Sequence, residues 1–281
     1  MNWSRAESFG AESFGAEWFG VQWFGVQWHW WLPSLAFVLL LLAERRAADA
    51  APRTRYTPAD WLLNLTGLFM QGVVVPLAAI WISVTLLPQL LPGARASVKL
   101  GVVGSFLLNF VVVDFLYYWQ HRWFHRWRPL WQLHLCHHAS PALDVWATSR
   151  NSLPVNFLFV YLLVSPLLGY LCDAPQAFFF GAALTASLDL WRHSRLPAGR
   201  DGALAGVVAW LLVTPRNHHL HHSPAGAQYN FGANLMLWDR CFGTARDATA
   251  LPQRYGIEHA PGAMRQLLFP WPLRPGAAAS D

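Results

Sequence analysis

One lysine, Lys99, and fifteen carboxylates are all that the 281 residues hold of those two charge types. Charged residues amount to 12% of the chain, about half the share in an ordinary soluble domain. So few charges cannot clothe a soluble globule of this size. Cysteine is scarce too. Cys136, Cys172 and Cys241 stand far apart with no CxxC pair, which excludes a disulfide framework and a zinc ribbon. They read as buried or incidental thiols. No short basic leader with a small-residue cleavage site surrounds the first apolar run, so a secretory signal peptide is not expected. Apolar residues, in contrast, make up 54%, and there are 17 tryptophans, whose rings favour the membrane–water boundary. The formal charge of +5 is almost entirely arginine. Those arginines cluster at the ends of apolar runs instead of along one polar stripe. They therefore speak for membrane topology and against a nucleic-acid partner.

Residues 6–30 repeat a five-residue unit: AESFG, AESFG, AEWFG, VQWFG, VQWHW. A period of five suits neither helix nor strand, and the recurring glycine weakens both. Residues 1–30 are expected to be a disordered low-complexity segment without chemistry, and His29 is set aside with it. Apolar runs follow at 24–43, 60–91, 100–120, 153–171 and 175–191, against the roughly 20 residues a bilayer core demands. The run 203–213 is too short to span. If the ends near Arg45/Arg46, Arg122/Arg126/Arg128 and Arg192/Arg195 are cytoplasmic, five crossings leave only Arg95 and Lys99 opposite, the N-terminal segment apart. The same layout places every histidine motif on one face.

Ten of the twelve histidines fall between 121 and 222. They form His121-x-x-x-His125, His134-x-x-His137-His138, a lone His193, and His218-His219-x-His221-His222. Residues three and four apart share a helical face, so each box can aim two or three imidazoles inward. Imidazole ligates iron and zinc through one ring nitrogen while the other is fixed by a neighbour. Nine such rings exceed what a single four-coordinate zinc can use, and two metals would use them all. A lone HxxxH is more often structural, and histidine-rich tracts can be loose metal-sequestering loops. These boxes, however, adjoin helices and converge on one face. Asp114, Tyr118, His121 and His125 lie along one helical stripe, and a carboxylate inside an apolar run is a functional candidate by default. Asp114 is thus expected to accept a proton from a ligating ring, and Asp239 to support the third box.

With these residues in view, the chain resembles the fatty acid hydroxylase/sterol desaturase superfamily. The stretches that carry the resemblance are Asp114 to His125, His134 to His138, His193 to Pro197, Thr214 to His222 and Asn230 to Thr244. It covers about residues 100–260. Relatives often carry an Arg-x-His-Pro-x-Glu-like stretch after the second box, where this chain has Arg150-Asn-Ser-Leu-Pro-Val-Asn156. The resemblance implies a non-haem di-iron centre, reduced by a separate electron-donor protein and using O2 on a lipid. It carries the ligand role to His121, His125, His134, His137, His138, His193, His218, His221 and His222. His219 falls on a variable position and is not assigned.

The expected fold is all-α: a multi-pass membrane bundle of about four to six helices with a cytosolic, histidine-lined di-metal cap. Residues 31–99 would be N-terminal spans, 100–260 the catalytic domain and 261–281 a tail. The expected activity is hydroxylation or desaturation of a lipid with two irons per chain, zinc being able to replace them, in a bacterial inner membrane. A zinc-dependent lipid hydrolase would want a glutamate between ligands, as in HExxH, and no box holds one. A metal transporter would place its ligands at mid-bilayer, not beyond helix ends.

Overall fold

A computed structural model describes residues 31–47, 56–196, 203–248 and 250–268. The repeat and His29 lie outside them. The described residues are helical, with two isolated β-bridges, Val98–Cys172 and Leu212–Leu235, and no strand.

Helix α1 runs from Leu32 to Ala47 and packs along a later helix, α8 (Pro175–His193). Helix α2, Pro58–Leu90, is 33 residues long. Its start is fixed by a capping box: the Thr57 hydroxyl accepts from Asp60 N and the Asp60 carboxylate accepts from Thr57 N. Proline follows at the first helical position, where its missing N–H costs nothing. Pro76 and Pro88 should break such a helix. Each is instead preceded by a π-helical stretch, Met70–Val74 and Ile82–Leu86, that widens the turn and keeps the axis running. Leu62, Leu65, Phe69, Leu77 and Trp81 face outward along it. Helix α3, Gly101–Arg126, is 26 residues long and carries a third π stretch, Leu108–Val113, that ends at Asp114. Both α2 and α3 are long and apolar enough to cross a membrane.

The apolar run 153–171 takes a different form from the span its hydropathy suggests. It is broken into α5 (Leu153–Asn156), α6 (Val160–Leu163) and α7 (Ser165–Leu171), after α4 (Arg128–His138). Pro154 and Pro166 open two of these pieces. The Gln120 side chain binds the break between α5 and α6, donating to Leu158 O at 2.7 Å and accepting from Val160 N at 2.9 Å. Hydropathy cannot register that capture. Helix α8 is one continuous 19-residue helix. The later pieces α9 (Ala203–Leu211), α10 (Pro215–His221), α11 (Met236–Cys241) and α12 (Ala263–Leu268) are short. α12, in the segment read as a tail, is packed into the body through Leu267, beside Leu63 and Cys136. Cys136 and Cys172 are buried and unpaired, and Cys241 is exposed.

A core of Val113, Tyr117, Phe124, Leu133, Val155 and Phe178 ties α3, α4, α5 and α8 together. The C-terminal ends of α3, α4, α8 and α10 meet above it, and every histidine box sits on one of those ends.

Candidate metal centre

The nine assigned histidines come together in two groups. His121, His125, His134, His138 and His221 form one, and His137, His193, His218 and His222 the other. Within each group the donor nitrogens all lie within 4.8 Å of one another. The two HxxHH boxes divide in opposite senses. His134 and His138, four apart and on one face of α4, join the five-membered group while His137 turns to the other. In the third box His218 and His222 join the four-membered group and His221 crosses over. His138 and His222 stack at the seam, ring centroids 4.4 Å apart and 15° from parallel.

Ring nitrogens face each other at short range: His121 Nε2 to His134 Nε2 at 3.1 Å, His218 Nε2 to His193 Nε2 at 3.0 Å, and His222 Nε2 to His218 Nε2 at 3.1 Å. Two nitrogens about 2.1 Å from a common ion and at right angles to one another are about 3.0 Å apart. The Nε2 atoms of His125, His138 and His221 are buried with no partner in the protein, a cost that a bound cation removes. The residues present therefore fit two metal ions. The all-imidazole donor set suits iron, zinc or copper in preference to magnesium or calcium.

Tautomers follow from the opposite edge of each ring. His121 Nδ1 donates to Phe231 O at 2.8 Å, His137 Nδ1 to Arg150 O at 3.1 Å, and His221 Nδ1 to Tyr229 O at 2.7 Å. His193 Nδ1 lies 2.8 Å from Asp189 O and 3.0 Å from the Asp189 carboxylate. Each bond puts the proton on Nδ1 and leaves the Nε2 lone pair facing its group. Burial pushes His137 down to about 3 and His221 to about 4, and carries His134, His138, His218 and His222 well below the usual histidine range. Neutral rings with free lone pairs are the state that ligates metal.

The remaining candidates lie beside the groups. Asp114 touches no imidazole. It accepts from Asn234 N at 2.7 Å, Leu235 N at 3.2 Å and Trp238 Nε1 at 2.9 Å, and so pins the 234–238 turn to α3. Asp239 accepts from Phe231 N and Gly232 N, both at 2.8 Å, and from Thr244 Oγ1 at 2.7 Å. Through Phe231 it reaches both His121, whose Nδ1 meets Phe231 O, and His221 of the third box, whose ring centroid lies 5.6 Å from that of Phe231. Tyr118 hydrogen-bonds Thr244 Oγ1 at 2.9 Å and accepts from Arg122 at 3.0 Å. His219 joins neither group. Its ring bridges the Tyr255 hydroxyl at 2.6 Å and His193 O at 3.1 Å.

Two residues escaped the sequence reading. Asp189 stands four before His193 on α8, and its carboxylate also pairs with Arg192 at 2.6 Å. The spacing rule applied to Asp114 would have found it. Arg150 is fully buried, its guanidinium held by Asp60 at 2.9 Å, Cys136 O at 3.1 Å and Gln266 at 3.2 Å, while its carbonyl takes the His137 proton. One residue thus links the α2 cap and α12 to a histidine of the four-membered group.

Comparison with known proteins places the chain among lipid-modifying enzymes of one family. The fatty acid hydroxylase family model matches residues 106–244. Alkylglycerol monooxygenase of Xenopus tropicalis is 30% identical over 161 residues, which is 55% of this chain and 33% of that protein. Ornithine lipid hydroxylase OlsE of Rhizobium tropici is 34% identical over 145 residues, 49% of this chain and 40% of that protein. Very-long-chain aldehyde decarbonylase CER1 of Arabidopsis thaliana is 26% identical over 176 residues, 60% and 27% respectively. The chain thus spans well under half the length of these relatives. No solved structure matches.

Proposed function

The chain belongs to the fatty acid hydroxylase superfamily, and from that premise we propose that it is a multi-pass membrane di-iron oxygenase. It would use O2, and electrons from a separate protein, to hydroxylate or desaturate a lipid. The observation that carries this reading is the division of nine histidines into groups of five and four. Removing hydrogen from an unactivated carbon is beyond any side chain. Iron bound in the two groups would supply that oxidative chemistry, with zinc as its competitor during expression.

The chain's own residues do the rest. The carbonyls of Phe231, Arg150 and Tyr229 and the Asp189 carboxylate hold ring orientation and tautomer. Burial of eight of the nine rings keeps water from them. No carboxylate lies among the nine donors, so no general base is assigned. The ends of α1, α3 and α8 carry Arg45/Arg46, Arg126 and Arg192, and Arg195 N donates to Glu44 at 2.8 Å, bringing the ends of α1 and α8 together. That basic face is the one bearing the histidines, which supports a cytoplasmic centre.

The test is metal analysis of detergent-purified protein from iron-replete cells, followed by lipid oxidation with O2 and a reductant. About two irons per chain are expected on the two-metal reading of the histidines, with O2-dependent conversion of an ether or ornithine lipid. A folded preparation that binds no metal would overturn the reading.

A further inference from the structure

Where α3 ends and α4 begins, a cavity of about 700 Å³ opens beside the five-histidine group. Arg122, Arg126 and Arg128 line it together with His125, Trp131 and Phe231, and no carboxylate does. Asp239, whose charge reaches Arg122, already accepts three hydrogen bonds from Phe231, Gly232 and Thr244. Arg126 and Arg128 are exposed. Helix electrostatics accounts for Arg126, which sits in the last turn of α3 against free carbonyls. It does not account for Arg128. That residue opens α4, where the free N–H groups already present positive potential, and no acidic residue in the first turn relieves it. Both the cation and the helix start call for an anion in the cleft.

We propose that this cleft binds the anionic headgroup, phosphate- or carboxylate-bearing, of the lipid on which the enzyme acts. The planar forks of three guanidiniums suit a phosphate or carboxylate. Trp123 and Trp127, exposed and stacked with ring centroids 5.8 Å apart, flank the site and set this end of α3 at headgroup depth. A concave site of this size admits a small group, whereas a protein partner needs a broad surface of about 1,000 Å² or more. His125 shares the cavity wall, and its Nε2 is buried without a partner. An anchored headgroup therefore leaves the first few carbons of the lipid beside the five-histidine group. That consequence, oxidation near the polar end and not at mid-chain, rests on the oxygenase reading. The binding itself does not.

The experiment uses the full chain in neutral maltoside micelles, its metal content measured first, titrated with dodecyl phosphate, dodecyl phosphocholine and inorganic phosphate. Tryptophan fluorescence reports occupancy. Dodecyl phosphate should bind at least ~10-fold more tightly than dodecyl phosphocholine, as expected for a charge-assisted pair. Arg126→Gln/Arg128→Gln should weaken dodecyl phosphate by ~10-fold or more, with metal content and melting temperature held, and Arg126→Lys/Arg128→Lys, which keeps the charge but not the planar fork, should recover only part of the binding. Equal affinity for the two lipids, or no loss in the glutamine pair, would overturn the proposal. So would displacement by inorganic phosphate at matched concentration, which would make this a free-anion site. Unchanged lipid binding with loss of affinity for an acidic electron-donor protein would assign the arginines to that partner. A wild-type protein without metal that still binds dodecyl phosphate would sink the oxygenase reading and leave the headgroup site standing.

Discussion

The five-histidine and four-histidine groups are built from the same side chain and share the ends of α4 and α10, the first adding α3 and the second α8, yet they differ in access and support. The four-membered group is sealed. All of its rings are buried, and its Nε2 atoms run in a chain from His137 through His193 and His218 to His222 at 3.4, 3.0 and 3.1 Å. A carboxylate and the carbonyl of a fully buried arginine hold it from behind. The five-membered group leaves three Nε2 atoms without a partner, takes its support from the carbonyls of Phe231 and Tyr229, and opens through His125 onto the arginine cleft. Closed metal sites serve structure and open ones serve chemistry. On the proposed reading, the five-membered group, which reaches the arginine cleft through His125, is the side from which substrate would be met.

Single substitutions break the comparison hardest. His137→Ala should abolish turnover and strip metal from the sealed group, and His125→Ala should do the same for the open one, while His29→Ala changes neither. Chelation kinetics separate the two. Wild type should lose metal in a fast and a slow phase, and His125→Ala should lack the fast one. A single phase in wild type would show that the groups are not distinct in access.

Arg150→Met comes next. It leaves Asp60 without its guanidinium and frees Cys136 O and Gln266 from theirs. Breaking a buried pair from one side costs about 3–5 kcal/mol, discounted toward the lower end because Asp60 is partly exposed. A lowered melting temperature in detergent is expected, with metal lost from the four-membered group before the five-membered one. Unchanged thermal stability would return Arg150 to a passive filler.

Asp189→Asn is a milder cut at the same group. It keeps the shape but withdraws the charge shared by His193 and Arg192. Metal retention should fall about tenfold, the usual scale for such a support. Asp114→Asn, which the sequence alone ranked as the metal-support test, should now lower thermal stability by about 1–3 kcal/mol and spare the metal, since its partners are two backbone amides and an indole. Metal loss from the Asp114 variant at normal stability would reverse that assignment.

Eight of the nine ligand candidates were legible because helical spacing puts positions three and four apart on one face, while the lone His193 came from the family resemblance, and the structure gathers those same nine rings. Their division into five and four was not. Which ring of an HxxHH box turns away depends on how α4 and α10 face each other, and that is set by packing across the core. Backbone carbonyls that fix tautomers, such as those of Phe231 and Arg150, leave no trace in side-chain identity. The all-helical class followed from hydropathy, but 153–171 misled it, because hydropathy counts apolar residues and is blind to Gln120 gripping a chain break.

His219 supplies the smallest and most selective test, because it stands between two ligands in the same box yet belongs to neither group. Its ring spans the Tyr255 hydroxyl and His193 O, an ordinary pair of buried hydrogen bonds. His219→Gln can keep part of that bridge, so stability should fall by about 1 kcal/mol and metal stoichiometry should not change. Loss of a metal ion in that variant, with the fold intact by circular dichroism, would mean that a tenth ring belongs to the centre. The opposed division of the two HxxHH boxes would then need redrawing, because the His219 ring meets the sealed group at a backbone oxygen, His193 O, and not at a ring nitrogen.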